Sequence, residues 1–215
     1  MNIAAFPTKG ERTRAHIVAA ASGLFWRHSF HGVSVDLVAE AADVNKATVY
    51  RYFADKRDLA LAVIRYNGEM TIAEVFEANF ENLAEPQDCL AAIYRMVYGA
   101  HLGMQQDTGD LHGCPIVGLA LELGQDMPEI REEAQRIFDQ VEIYLSRIAA
   151  AAAARLNRDA NAESQGRTLT QLLHGAFASA RVASDPSRIL DAGHASLELI
   201  GFPEKSILNK EQSGS

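Results

Sequence analysis

The chain has 215 residues, of which 48% are hydrophobic and 22% charged, and its formal net charge is −8. This hydrophobic content is enough for the buried core of one large domain or two small ones. No run of 18 apolar residues occurs, which excludes a membrane-spanning helix. The first residues lack the apolar run of a signal peptide, and the two cysteines form no disulfide framework. We therefore expect a cytoplasmic protein.

The charge is divided unevenly along the chain. Residues 1–67 contain nine Lys and Arg against six Asp and Glu, a balance of +3, and the remaining residues contain 11 against 22, a balance of −11. A basic part joined to an acidic part is typical of a protein in which one part meets a polyanion. The negative total therefore does not exclude nucleic acid as a partner of the N-terminal part.

The first predicted elements are three helices. Apolar side chains from Ile17 to Phe25 follow helical spacing and predict a long helix from about Arg12. A short second helix is indicated by apolar residues at i, i+3, i+4 and i+7, namely Val35, Val38, Ala39 and Ala42, with Ser34 as N-cap. The chain turns at residues 42–44, and Asn45 caps a third helix. Two short helices joined by such a turn predict a helix-turn-helix.

The third helix has two unlike faces. Val49 and Phe53 hold its apolar side. Its polar residues lie within about two turns and most can face outward together: Lys46, Thr48, Tyr50 and Arg51. Such a helix suits the major groove of DNA, which admits one α-helix. Asp55 caps the following helix, whose positive end with Lys56 is a good phosphate seat.

Residues 12–65, and above all the ungapped run 33–59, resemble the DNA-binding domain of the TetR family of transcriptional regulators. Two positions depart from the family pattern. Asp43 stands where the family commonly has Gly, but Asp tolerates the left-handed conformation. Ala47 replaces a Gly or other small residue, and its methyl group could contact a thymine methyl. We expect neither departure to prevent DNA binding.

The resemblance implies a role for each polar position. Ser34, Tyr50 and Lys56 would bind phosphates and fix the register on a double-stranded operator. Asn45, Lys46, Ala47 and Thr48 would approach base edges or flanking backbone, and Arg51 would lie at the rim. The alternative is that these residues are only the solvated face of a small helical bundle.

The rest of the chain also predicts helices. Breaks near Pro86, residues 105–113, 124–128, 157–162 and 184–186 divide it into five or six helices, and no strand pattern occurs. We therefore predict an all-α protein with a three-helix DNA-binding domain at residues 1–66. A helical effector-binding and dimerisation domain would follow at 67–203, with a flexible tail at 204–215.

The last two predicted helices are candidates for a dimer face. Leu169, Leu172 and Phe177 belong to an apolar stripe. Gly175 and neighbouring residues of this stripe have small side chains, which would let another helix approach closely. The resemblance implies a homodimer through a four-helix bundle of these helices, and paired half-sites in an operator favour a dimer. The alternative is an ordinary core helix within one chain.

The resemblance also implies a pocket for a small apolar or amphipathic effector in the second domain. Candidate lining residues are Tyr94, Tyr98, His101, Met104, Cys114, Leu119, Phe138 and Phe177. Each of them, taken alone, is more often a plain core residue than a ligand contact. The seven histidines provide no set of four ligands at zinc spacing, so we predict neither a metal site nor a cofactor.

Cys114 supports a narrower alternative. Pro115 suits the first position of a helix, which would put the thiol at the N-cap, where thiolate character and reactivity increase. The main prediction is a ligand-responsive repressor, and the alternative is a regulator that senses oxidants or electrophiles through Cys114. A DNA-binding protein that needs no ligand, and a thiol hydrolase using Cys114 with His112, are further hypotheses. The second lacks an orienting group and an oxyanion hole, so we do not expect an enzyme.

Overall fold

The computed structural model describes residues 8–80 and 84–203, so the tail predicted at 204–215 lies outside the described part. Within these two ranges there is no strand, and the predicted all-α fold is confirmed. The α-helices there are α1 (Lys9–Gly32), α2 (Val35–Ala41), α3 (Lys46–Tyr52), α4 (Lys56–Met70), α5 (Pro86–Thr108), α6 (Pro115–Leu123), α7 (Pro128–Arg155), α8 (Ala162–Ala183) and α9 (Ser187–Leu199). After α4 the chain continues through a π-helical turn (Thr71–Phe76) and a 3-10 turn (Glu77–Asn79).

The described residues form two compact units. The first contains the residues up to Glu69 together with Pro115–Ala134, and the second contains Met70–Cys114 together with the residues from Gln135 onward. Helix α6 therefore belongs to the first unit, although it lies between α5 and α7 in the sequence. The hydropathy pattern of α6 gives no sign of this membership.

The core of the first unit is built around α1. Ile17 of α1, Val38 of α2 and Val63 of α4 are completely buried. Helix α6 packs against α1 and buries Ile116 and Leu119. Because burial of a Leu or Ile side chain contributes about 1.5–3 kcal/mol, α6 is an integral part of what stabilises this unit.

The start of α1 differs from the prediction by about one turn. The helix begins at Lys9 rather than near Arg12, because Thr8 provides an N-cap. The Thr8 side chain accepts from the amide of Glu11, and the Glu11 carboxylate accepts from the amide of Thr8. This reciprocal capping box satisfies two of the amides that a helix leaves unpaired at its first turn.

The second unit buries one face of each of its long helices. Leu90 of α5, Ile148 of α7, Leu169 of α8 and Leu197 of α9 are at most 1% exposed. The backbones of α7 and α8 come very close at Gly166, where an added Cβ would overlap Ser146 Oγ and lie 2.8 Å from Ser146 Cα. The second unit therefore requires glycine at this crossing.

Candidate functional site

The helix-turn-helix formed by α2 and α3 has the predicted local geometry. Ser34 caps α2 by accepting from the amide of Leu37, and Asn45 caps α3 by accepting from the amide of Thr48. Between the helices, Asp43 adopts a positive φ of 49°. This is the left-handed conformation that the turn requires and that Asp tolerates.

The buried side of α3 fixes how the helix is presented. Val49 is 2% exposed and Phe53, directly after the helix, is 1% exposed. The guanidinium of Arg14, from α1, lies over the Phe53 ring at 5.0 Å from its centroid. These contacts anchor α3 against the unit from behind and leave its polar side outward.

Several polar groups of α3 are already hydrogen-bonded within the helix-turn-helix. Asn45 Oδ1 accepts from the amide of Thr48 at 2.8 Å and from Thr48 Oγ1 at 2.9 Å. Lys46 Nζ donates to Asp36 Oδ2 of α2 at 2.8 Å, and this bond raises the pKa of Lys46. This ion pair joins the first turn of α2 to the first residue of α3.

The remaining α3 positions are exposed. Ala47 is exposed, and Tyr50 is 47% exposed. Arg51 is also exposed, but its guanidinium lies over the ring of its neighbour Tyr52 at 5.0 Å from the centroid. Arg51 is therefore directed along the side of the helix toward Tyr52.

Lys56 is held at the start of α4. Asp55 accepts from the amide of Asp58 at 2.8 Å and so caps this helix as predicted. Lys56 Nζ donates to the carbonyl of Phe30, and its ammonium lies 4.0 Å from the centroid of the Phe30 ring. Partial burial lowers the pKa of Lys56. No local sequence pattern indicates that the end of α1 holds this lysine.

The predicted effector residues separate into groups. Three of them belong to an aromatic cluster in the second unit that also includes His174, which the sequence did not suggest. His101 stacks on Phe177 at a centroid distance of 5.1 Å, and His174 lies 4.5 Å from Phe138 and 6.1 Å from Phe177. We call these four residues the aromatic cluster.

The two imidazoles of the aromatic cluster are shielded from solvent. Burial lowers the pKa of both His101 and His174. His101 Nδ1 lies 2.8 Å from the carbonyl oxygen of Val97. Within the described part of the chain, neither ring nitrogen of His174 has a hydrogen-bond partner. A buried polar group without a hydrogen-bond partner lowers the free energy of unfolding by about 1–3 kcal/mol. A bound molecule that hydrogen-bonds to His174 would remove this cost.

The other effector candidates lie elsewhere. Tyr94 is buried, its hydroxyl lies 2.7 Å from Ser196 Oγ, and burial raises its pKa to about 12. Tyr98 and Met104 on α5 are half-buried. Leu119 belongs to α6, which is part of the first unit.

The two cysteines have different surroundings. Cys89 is buried, its thiol donates to the carbonyl of Asn79 at 3.0 Å, and burial raises its pKa to about 11. Cys114 is half-buried and directly precedes Pro115, the first residue of α6, as predicted. Cys114 is therefore the more accessible of the two thiols.

Metal sites and membrane-spanning helices also bear on function. Among residues 8–80 and 84–203, no group of three His, Cys, Asp or Glu is arranged to hold a metal ion. In the same ranges, no helix combines the length and the apolar character needed to cross a membrane.

Comparison with known proteins gives concordant matches at both ends of the chain. Residues 17–63 match the family model of bacterial regulatory proteins of the tetR family, and residues 90–195 match that of the C-terminal domain of LmrA/YxaF-like transcriptional regulators. The HTH-type transcriptional regulator RutR of Escherichia coli K12 is 31% identical over 134 residues, covering 52% of this chain and 63% of that protein. The regulator TcmR of Streptomyces glaucescens is 31% identical over 147 residues, covering 66% of this chain and 61% of that protein.

These two matches each span less than two thirds of the relative's length. The crystal structure of regulatory protein TetR from Rhodobacter sphaeroides superposes with a TM-score of 0.73 at 22% identity, covering 89% of this chain and 98% of that one. At this level of identity the superposition shows a shared fold.

Proposed function

Because the chain belongs to the TetR family of transcriptional regulators, whose N-terminal helix-turn-helix binds DNA, we propose that it is a ligand-responsive repressor. It binds a palindromic operator as a dimer and is released by a small molecule. Regulation of this kind takes place in the cytoplasm. The main support is the geometry of α3, which is anchored from behind by Val49 and Phe53 and carries its polar residues outward.

The proposed DNA contacts divide by role. Ser34, Tyr50 and Lys56 bind phosphates, which position the protein without carrying sequence information. Asn45, Lys46, Ala47 and Thr48 approach base edges or flanking backbone, and Arg51 lies at the rim. Lys46 and Ala47, the first two residues of α3, are exposed, which supports their approach to DNA.

We assign DNA binding to residues 1–66, and binding of the effector and of a second copy of the chain to residues 67–203.

A groove between α8 and α9 supports the proposed dimer face. The groove encloses about 410 Å³ and is lined by Thr168, Gln171, Leu172, Gly175, Ala176, Ser179, Arg188, Asp191 and Ala192. Nothing lies within 4 Å of a Cβ built on Gly175, so a partner helix can approach closely there.

The aromatic cluster is the proposed effector site. A planar, largely apolar molecule that stacks on Phe138 or Phe177 and exchanges a hydrogen bond with His174 would relieve the unpaired imidazole. Such a ligand releases DNA only to the extent that it binds the two states of the protein with different affinity.

Sensing of oxidants or electrophiles by Cys114, which is half-buried at the start of α6, is the second candidate for the input signal.

The decisive experiment is fluorescence anisotropy of the full chain with DNA from upstream of its own gene, across salt concentrations and against random duplex. Tight, salt-dependent binding that resists the competitor would support an operator-binding regulator. The same assay then screens for molecules, or for mild peroxide, that release the DNA. Affinity equal to that for random duplex, on this DNA and after genome-wide selection of fragments, would contradict the proposal.

A further inference from the structure

The last turn of α1 is bent at Ser29. This residue has φ 62° and ψ 165°, which interrupts the helical conformation. That region of backbone space is essentially confined to glycine and costs a residue with a Cβ about 1–3 kcal/mol. A strained residue persists only where its surroundings hold it in place.

The group that holds the bend is the carboxylate of Glu122 on α6. Glu122 accepts from the amide of Phe30 at 2.8 Å and from the amide of His31 at 2.9 Å. Its Oε1 also lies 2.6 Å from His31 Nδ1. Burial raises the pKa of Glu122, but the hydrogen bonds from His31 and Phe30 outweigh it and lower the pKa overall. The carboxylate is therefore ionised at neutral pH and satisfies the two amides that the bend releases.

The bend also determines the position of Lys56. The carbonyl of Phe30 accepts from Lys56 Nζ, and the ring of Phe30 lies under the same ammonium. Glu122, Phe30 and Lys56 all belong to the first unit. A continuous set of contacts thus leads from α6, through the bent end of α1, to a proposed phosphate ligand.

We propose that Glu122 is a positioning residue for DNA binding, which keeps α1 bent at Ser29 and thereby seats Lys56 for its phosphate. This inference rests on the proposed function. When Glu122 withdraws, the strain at Ser29 favours a regular helical turn, the carbonyl of Phe30 turns away, and Lys56 loses both of its contacts. Movement of α6 is in this way converted into a change at the DNA-binding surface.

The first test replaces one oxygen of the carboxylate. Glu122→Gln keeps the size of the side chain but sets an amide N–H group against the backbone amides. We expect operator affinity to fall about tenfold, since a lost hydrogen bond to a charged group corresponds to roughly that factor. Glu129→Gln, an exposed position in the same unit with the same change of charge, is the matched control. It should stay within about twofold of the wild type.

The second test separates positioning from general damage to the fold. Ser29→Gly removes the strain, so the double variant Ser29→Gly/Glu122→Gln should regain most of the lost affinity. Hydrogen exchange should show altered protection of the Phe30 and His31 amides in Glu122→Gln, because the carboxylate that accepts from them is lost, with the first turns of α1 unchanged.

The outcomes distinguish the two proposals. Equal DNA affinity of Glu122→Gln and Glu129→Gln, or unchanged exchange at Phe30 and His31, would overturn the role of Glu122. Failure of Ser29→Gly to restore affinity would overturn it as well. Wild-type protein that binds no DNA specifically would instead defeat the proposed function, and the exchange data would still show whether Glu122 holds the bend.

Discussion

Asn45, Lys46 and Thr48 at the start of α3 are hydrogen-bonded before any DNA arrives. The imidazole of His174, by contrast, is shielded from solvent without a hydrogen-bond partner among the described residues. At the surface, Asn45 pairs with Thr48, and Lys46 pairs with Asp36. Inside the second unit, His174 packs between Phe138 and Phe177 with both nitrogens unused. The proposed DNA-binding surface is therefore preorganised for its ligand, whereas the interior of the second unit contains an imidazole that a ligand could supply with a hydrogen bond.

The largest effect is expected from a substitution that removes the unpaired imidazole of His174. His174→Leu replaces an unpaired imidazole by an apolar side chain, so we expect the free energy of unfolding to rise by about 1–3 kcal/mol. The effector response should be lost, while operator affinity without effector is retained. Urea unfolding and DNA release by the effector measure the two effects. His28→Leu, at an exposed position on α1, is the control and should leave both unchanged. Lower stability of His174→Leu would show that the imidazole has a favourable role in the free protein.

The pH dependence of stability tests the same contrast without a mutation. The folded pKa of His174 is lowered by burial, so the unfolded chain binds the proton more readily. Stability is therefore complete above the unfolded pKa of about 6.5 and falls as the pH drops below it. The slope contributed by His174 is at most about 1.4 kcal/mol per pH unit. His101, shifted in the same direction, adds to it.

The check on this dependence is urea unfolding of the wild type and His174→Leu between neutral and mildly acidic pH. The wild-type curve should be steeper, and the difference should begin near the unfolded histidine pKa. Parallel curves would show that His174 does not titrate differently in the two states.

Asn45 separates the structural from the recognition role of the surface. Asn45→Ala removes the N-cap of α3 and should lower the free energy of unfolding by about 1 kcal/mol. Asn45→Asp keeps a capping oxygen for the amide of Thr48 but adds a negative charge. It should retain wild-type stability and lose operator affinity, as measured by unfolding and anisotropy. Retention of full affinity in Asn45→Asp would place this residue away from the phosphates and bases.

The smallest effect on stability is expected for the pair of Lys46 and Asp36. Both side chains are largely exposed, at 50% and 67%, and an exposed ion pair contributes little to stability because solvent screens it. Asp36→Asn should therefore barely change unfolding, but it frees the Lys46 ammonium for phosphates. Binding to random duplex should tighten, and its salt dependence should steepen by about one unit.

The control for this pair is Glu40→Gln, which makes the same change of charge on α2 at another exposed position. A double-mutant cycle with Lys46→Ala isolates the coupling between the two residues. If Glu40→Gln tightens random binding as much as Asp36→Asn, the effect is one of net charge and not of the freed lysine.

The local features of the helix-turn-helix could be predicted from the sequence because each depends on neighbouring residues. The caps Ser34 and Asn45 act within three positions, and Asp43 was expected to tolerate its left-handed turn. The contacts of Glu122 with Phe30 and His31 join residues 92 and 91 positions apart, and no local pattern indicates them. Likewise, the π-helical turn at Thr71–Phe76 has the composition of an ordinary helix.

The candidate effector site was predicted less completely for the same reason. His101, Phe138 and Phe177 were named for their residue type, but His174 of α8 joins the cluster through its contact with Phe138 of α7, which no local pattern indicates. Leu119 was named with them because it lies on a middle helix, and the structure places that helix in the first unit. Residue type and helical spacing identify buried positions, but they do not identify which helices will be neighbours.

The discontinuity of the first unit has a consequence for biosynthesis. Its hydrophobic core includes Ile116 and Leu119, so the helix-turn-helix leaves the ribosome well before the helix that covers α1 has been translated. Synthesis proceeds at about 5–20 residues per second, which leaves the face of α1 uncovered for several seconds. The nascent first unit thus completes its core only after residue 134 has emerged, so its folding is coupled to translation of the middle of the chain.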